Sequence, residues 1–137
     1  MNDDILCCVN GSAHARRAVE IAVEFARGLD RRLSFVLVNQ VRPASGFPPI
    51  KSWTEAEGEE ILDAAVRYAR VRGVKGAKRI LFEGADVAAS ILECARRIDA
   101  GHIVVGTGNP PFVGRLLIGS VSEAVVSGAG CSVTVAR

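Results

Sequence analysis

A chain of 137 residues fits a single domain, and with 49% hydrophobic but only 5% aromatic residues its core has to be built from Val, Ile, Leu and Ala. The net charge of +2 is too small to argue for nucleic acid or an anionic membrane surface, and the basic pairs Arg16-Arg17, Arg31-Arg32 and Arg96-Arg97 are scattered among acids. No stretch reaches the roughly 18 apolar residues of a membrane span.

The first apolar run, Ile5 to Val9, reads as a buried strand that ends at Asn10-Gly11-Ser12. Ser12 is placed to cap a helix from Ala13 to Leu29, with Ala18, Ala22, Phe25, Ala26 and Leu29 on one apolar face. Leu33 to Val38 is a second strand. From Asn39 to Ser52 the sequence carries Pro43, Gly46, Pro48 and Pro49, which predicts an irregular, mobile loop. Thr54 with Glu57 three residues on is a capping box opening a helix to about Arg72, with Ile61, Ala64, Ala65 and Tyr68 on one side.

Arg79 to Phe82 is a third strand. Asp86 caps a third helix whose inward residues are Val87, Ile91, Leu92 and Ala95. His102 to Val105 is a fourth strand, followed by a glycine-containing loop from Gly106 to Gly119. A short helix starts near Ser120 and stops at Gly128-Ala129-Gly130, and Cys131 to Val135 is a last strand. The alternation predicts one 1–137 domain, α/β in class, with a five-stranded parallel doubly wound sheet and helices on both faces.

Cys7, Cys8, Cys94 and Cys131 form no CxxC pair, and on a strand Cys7 and Cys8 point to opposite faces. The acidic start Met1-Asn2-Asp3-Asp4 lacks a secretory pattern, so the thiols read as reduced and the protein as cytoplasmic. Neither His14 nor His102 has a His, Cys or Asp cluster near it in sequence, so no metal site is expected. Trp53 reads as a staple or loop anchor.

In open α/β sheets ligands bind beyond the carboxyl ends of the strands, where strand order reverses. Two loops qualify, Asn10-Gly11-Ser12 and Gly106 to Ser122. Gly106 and Gly108 let the backbone approach a ligand closely. Gly119-Ser120-Val121-Ser122 leads into a helix whose first amides lack intrahelical partners and favour an anion. Ser120 and Ser122 add hydroxyls, and Arg115 adds a charge. No Walker sequence is present, and no Rossmann glycine triplet follows the first strand. With no general base or metal carboxylate near this loop, the chain reads as a binding protein with, at most, slow ATP hydrolysis.

The run Val104-Val105-Gly106-Thr107-Gly108-Asn109, then Gly114 to Glu123, then Cys131 to Val135, resembles the C-terminal hallmark of universal stress proteins, Gly-x2-Gly-x9-Gly-Ser/Thr. Val9-Asn10-Gly11-Ser12 resembles the family's first-strand segment. The resemblance implies an adenine nucleotide alpha hydrolase-like, Rossmann-like domain, a homodimer through Cys131 to Val135, and ATP or AMP as ligand. It places Asn10 by the nucleoside, Val38 near the adenine, Gly106 and Asn109 on the first two motif glycines, and Gly119, Ser120, Val121 and Ser122 at the phosphates. Asn10 stands where the family has Asp, and Asn109, followed by Pro110-Pro111, stands where it has glycine. The alternative is a nucleotide-free dimeric interaction protein of the same fold. A phosphoacceptor module is disfavoured, since Asp3 and Asp4 lie at the wrong end of the first strand and Asn10 at the right one, and a flavin module is disfavoured because Asn10-Gly11-Ser12-Ala13 is only a fragment of the hydroxyl- and glycine-rich phosphate loop it needs.

Overall fold

The computed structural model describes residues 2–107 and 119–137. The element order is β1 (Ile5–Cys8), α1 (Ala13–Leu29), β2 (Leu33–Ala44), β3 (Phe47–Lys51), α2 (Glu55–Val71), β4 (Lys78–Gly84), α3 (Val87–Arg97), β5 (His102–Gly106), α4 (Ser120–Gly128) and β6 (Ser132–Ala136). β1, β2, β4, β5 and β6 are parallel. β1 pairs with β2 on one side and β5 on the other, β4 lies outside β2, and β6 lies outside β5. Strand order therefore reverses between β1 and β5.

The strands are nearly continuous apolar runs because both sheet faces are covered. One face packs Ile5, Cys7, Phe35, Leu37 and Val104 against Ala18, Ala22 and Val23 of α1 and Leu62 and Ala65 of α2. The other packs Leu6, Val36, Ile103 and Val105 against Ile91 and Cys94 of α3 and Val125 of α4. Cys7 and Cys8 do point to opposite faces. Burial pushes both thiols up, and Cys94 is raised to about 11 by the same cause.

Three expectations need correction. The stretch from Asn39 to Ser52 is not an irregular loop. β2 continues to Ala44, turns through Ser45 and Gly46 (φ +75°), and returns as antiparallel β3, giving a six-stranded sheet. Proline is tolerated there because every residue of β3 is exposed and its outer edge has no ladder to complete. On α2 the buried stripe is Gly58, Leu62, Ala65 and Ala69, while Ala64 is exposed. Gly58 belongs to it because a Cβ there would come within 3.0 Å of Leu37 and 3.1 Å of Leu81. At the end of α1, Leu29 is 55% exposed rather than on the buried face, which runs through Ala15, Ala18, Val19, Ala22, Val23 and Ala26. At the entry end of the sheet, Asp3 and Asp4 pair with Arg31 and Arg32, far from the carboxyl ends of the strands.

Candidate functional site

A cavity of about 390 Å³ opens at the carboxyl ends of β1 and β5, where strand order reverses. Its apolar wall is Val36, Val38, Val87, Ile91 and Val105, and its polar rim includes Asn10, Ser12, His14, Gln40 and Ser52. Gly106, Thr107, Gly119, Ser120, Val121 and Ser122 close the remaining side. Among the described lining residues there is no Asp, Glu, Lys or Arg.

Of the residues singled out in the sequence, Asn10, Val38, Gly106, Gly119, Ser120, Val121 and Ser122 all border this one cavity. Gly108 and Asn109, with Pro110, Pro111 and Arg115, lie outside the described residues. The roles of several residues differ in detail from the sequence reading. Asn10 Oδ1 accepts the Ser12 amide at 3.0 Å, a local turn that sets up the start of α1. The Ser122 hydroxyl is buried and already donates to the Gly106 carbonyl at 2.5 Å, so it ties α4 to β5. Gly106 is required by the fold itself: a Cβ there would sit 2.6 Å from the His14 carbonyl oxygen, because the first turn of α1 presses on the end of β5.

The start of α4 is the unusual part of the rim. Glu123 makes the first intrahelical bond, to the Gly119 carbonyl at 2.9 Å. The amides of Ser120, Val121 and Ser122 precede it and have no partner within the helix. Gly119 provides no side-chain cap. By contrast, α1, α2 and α3 are capped by Ser12, Thr54 and Asp86. Backbone N–H groups and the positive end of the helix dipole thus border an uncharged cavity, an arrangement suited to an anionic group attached to a flat, weakly polar one.

The sequence reading missed three contributors. Asn39 is buried at the end of the parallel part of β2. Its Nδ2 donates to the Trp53 carbonyl at 2.9 Å, and its Oδ1 accepts the Trp53 amide at 3.0 Å. This clamp returns the hairpin to the cavity wall and fixes Trp53, whose expected anchoring role is met through its backbone. Gln40 donates to the Ala85 carbonyl at 3.0 Å and accepts from Arg42 at 3.1 Å. Thr107 holds the α4 mouth in place, accepting the Gly119 amide at 2.9 Å on its carbonyl. The only sequence sign of Asn39 and Gln40 is a pair of amide side chains ending an apolar strand.

Comparison with known proteins places this geometry. Residues 1–137 match the universal stress protein family. The chain is 32% identical over 139 residues to a universal stress protein of Methanocaldococcus jannaschii, covering 97% of this chain and 81% of that one. It is similar to a crystal structure of a universal stress protein family member from Burkholderia pseudomallei, with TM-score 0.76, 31% identity, and 97% and 94% of the two chains covered. It shares its fold with the universal stress protein of Archaeoglobus fulgidus solved in complex with dAMP, with TM-score 0.72, 22% identity, and 99% and 98% covered. Structures of the same fold have also been solved with AMP, from Arabidopsis thaliana (TM-score 0.70), and with cAMP (TM-score 0.76).

Proposed function

The chain belongs to the universal stress protein family, and from that premise we propose that it binds an adenine nucleotide, ATP or AMP, in the cavity between β1, β5 and α4 and acts as a dimeric stress-response module. The observation that carries this reading is the uncapped start of α4 opening onto a cavity with no described charged side chain. The phosphates sit at Gly119, Ser120, Val121 and the Ser122 amide. The base lies against Val38, and the sugar lies toward Asn10. A cavity of about 390 Å³ is within the range of small-molecule sites. Complexes of the same fold with AMP, dAMP and cAMP support the choice of ligand class. The described lining offers no carboxylate, which supports a role in binding, with hydrolysis slow at most.

Calorimetric titration with ATP and AMP tests this, run beside Gly119→Val. The wild type is expected to bind and the variant to lose at least about tenfold in affinity, because a branched side chain at that position crowds the phosphates at the mouth of α4. Equal behaviour of the two proteins would remove the cradle from the account.

Dimerisation is assigned to β6. The sheet has two outer parallel strands. β4 carries Lys78, Arg79 and Glu83, charges that discourage edge pairing, whereas Ser132 to Ala136 carries none. Light scattering at high concentration is expected to show a dimer, and a monomer at every concentration would refute it. Free thiols at all four cysteines suit a cytoplasmic protein. A nucleotide-free interaction role draws on the β3 arm, where Phe47 is 77% and Ile50 60% exposed. Purified protein that neither carries nor takes up adenine nucleotide would favour it.

A further inference from the structure

We infer that His14 is the charge-reading residue of this site, taking up a proton as a nucleotide phosphate enters and so making affinity for phosphorylated ligands fall as pH rises through neutrality. The inference rests on the nucleotide-binding reading above and names a residue that reading does not use. His14 lines the cavity from the first turn of α1. Two independent contacts fix it there. Its carbonyl carbon and oxygen lie against Gly106, and its Nδ1 is 3.3 Å from Thr107 Oγ1. The same Thr107 accepts the Gly119 amide on its carbonyl, so the ring is joined through one residue to the mouth of α4. Among the described residues Nε2 has no partner, which leaves it for a ligand.

The electrostatic surroundings single His14 out. From β1, Cys8 borders the cavity with a thiol that burial keeps neutral. β2 presents Gln40, α3 presents Val87 and Ile91, and α4 presents Ser120, Val121 and Ser122, none charged. On α1 itself Arg17 lies beside Glu20 at 3.9 Å, and Arg16 faces the neighbouring cleft between α1 and α2. Of the described lining side chains, His14 is the one able to become a cation near neutral pH. Residues from two helix starts, those of α1 and α4, line the same cavity. A dianionic phosphate beside the imidazole favours its charged form, so binding and proton uptake are linked and each favours the other.

The chain has two histidines, which makes the test direct. His102 stands at the opposite end of β5, 2.7 Å from Thr134 Oγ1, and serves as an internal reference. Imidazole resonances are followed by NMR over pH 5.5–8.5, free and with saturating AMP or adenosine. AMP is expected to delay deprotonation of His14 and leave His102 unmoved, while adenosine moves neither. In calorimetry His14→Gln is expected to lose about tenfold in AMP affinity at pH 6, little at pH 8.5, and nothing for adenosine. His14→Lys, with a permanent charge, should keep AMP affinity and lose its pH dependence. If AMP binds while the His14 titration stays put, or if His14→Gln shows the wild-type pH dependence, the inference is wrong and the nucleotide site stands. If AMP does not bind at all, it is the site that fails.

Discussion

Helices α3 and α4 pack side by side on one face of the sheet and begin in opposite ways. At α3, Asp86 Oδ1 accepts the Ala89 amide at 2.8 Å, and the Asp86 carbonyl takes the Ser90 hydroxyl at 2.7 Å. The helix start is closed by its own sequence. At α4 the capping position is Gly119, with ordinary extended geometry (φ −63°, ψ 154°) and no side chain to fold back. The backbone there does not require glycine, since any residue adopts those angles. Gly119 supplies no side chain to cover the first amides of the helix. One helix start is closed by a side-chain cap, while its neighbour has none among the described residues.

The sharpest way to break this contrast is to make α4 resemble α3. Gly119→Asp should place a carboxylate on the free amides without backbone strain. Nucleotide affinity should fall by at least about a hundredfold, because charge-assisted hydrogen bonds are lost and a like charge is added. The same variant should unfold no more easily than wild type, and by about a few tenths of a kcal/mol less easily. Loss of binding with loss of stability would mean that the glycine is structural after all.

Gly106 supplies the opposite case, a glycine that the fold needs. Gly106→Ala should destabilise the domain by roughly 1–3 kcal/mol, since the new Cβ meets His14 backbone atoms that cannot rotate away. Denaturant melts would reveal this as a lower midpoint at unchanged slope. Asp86→Ala should cost about 1 kcal/mol by the same measurement, the loss of the α3 cap. The smallest effect concerns pH. Burial, then the nearby Arg31, holds the His102 imidazole below its ordinary titration range. A histidine that resists protonation in the folded state stabilises above the unfolded value near 6.5, and that contribution is lost as pH falls below it. Thermal melts should show a modest decline from pH 7 to 5 that His102→Gln lessens.

Most of the fold could be read from sequence because it rests on local signals. Ser12, Thr54 with Glu57, and Asp86 announced three helix starts through capping chemistry, and all three caps form. The apolar runs at β1 and β5 announced buried parallel strands. The β2–β3 hairpin was hidden because prolines 43, 48 and 49 signal disruption in most contexts. On an exposed two-stranded arm they remove donors that no neighbour needs. At the cavity, the glycines and Ser120 were legible from the motif, but Asn39, Gln40 and Thr107 were not. Their importance comes from partners far along the chain, such as Trp53, 14 positions beyond Asn39, and spacing alone carries no trace of that.

One strand joins the cavity to the exposed hairpin tip. β2 passes under the cavity at Val36 and Val38, is stapled to Trp53 through Asn39, and runs outward as the stalk of the hairpin bearing Phe47 and Ile50. The Asn39 clamp and the β2–β3 ladder, which shifts register between Arg42 and Ala44, connect tip to floor. A body that grips the tip therefore takes hold of the same strand that carries the floor valines. Reciprocity then requires that any preference the grip shows between the filled and the empty cavity be repaid by an equal preference of the cavity for the gripped arm.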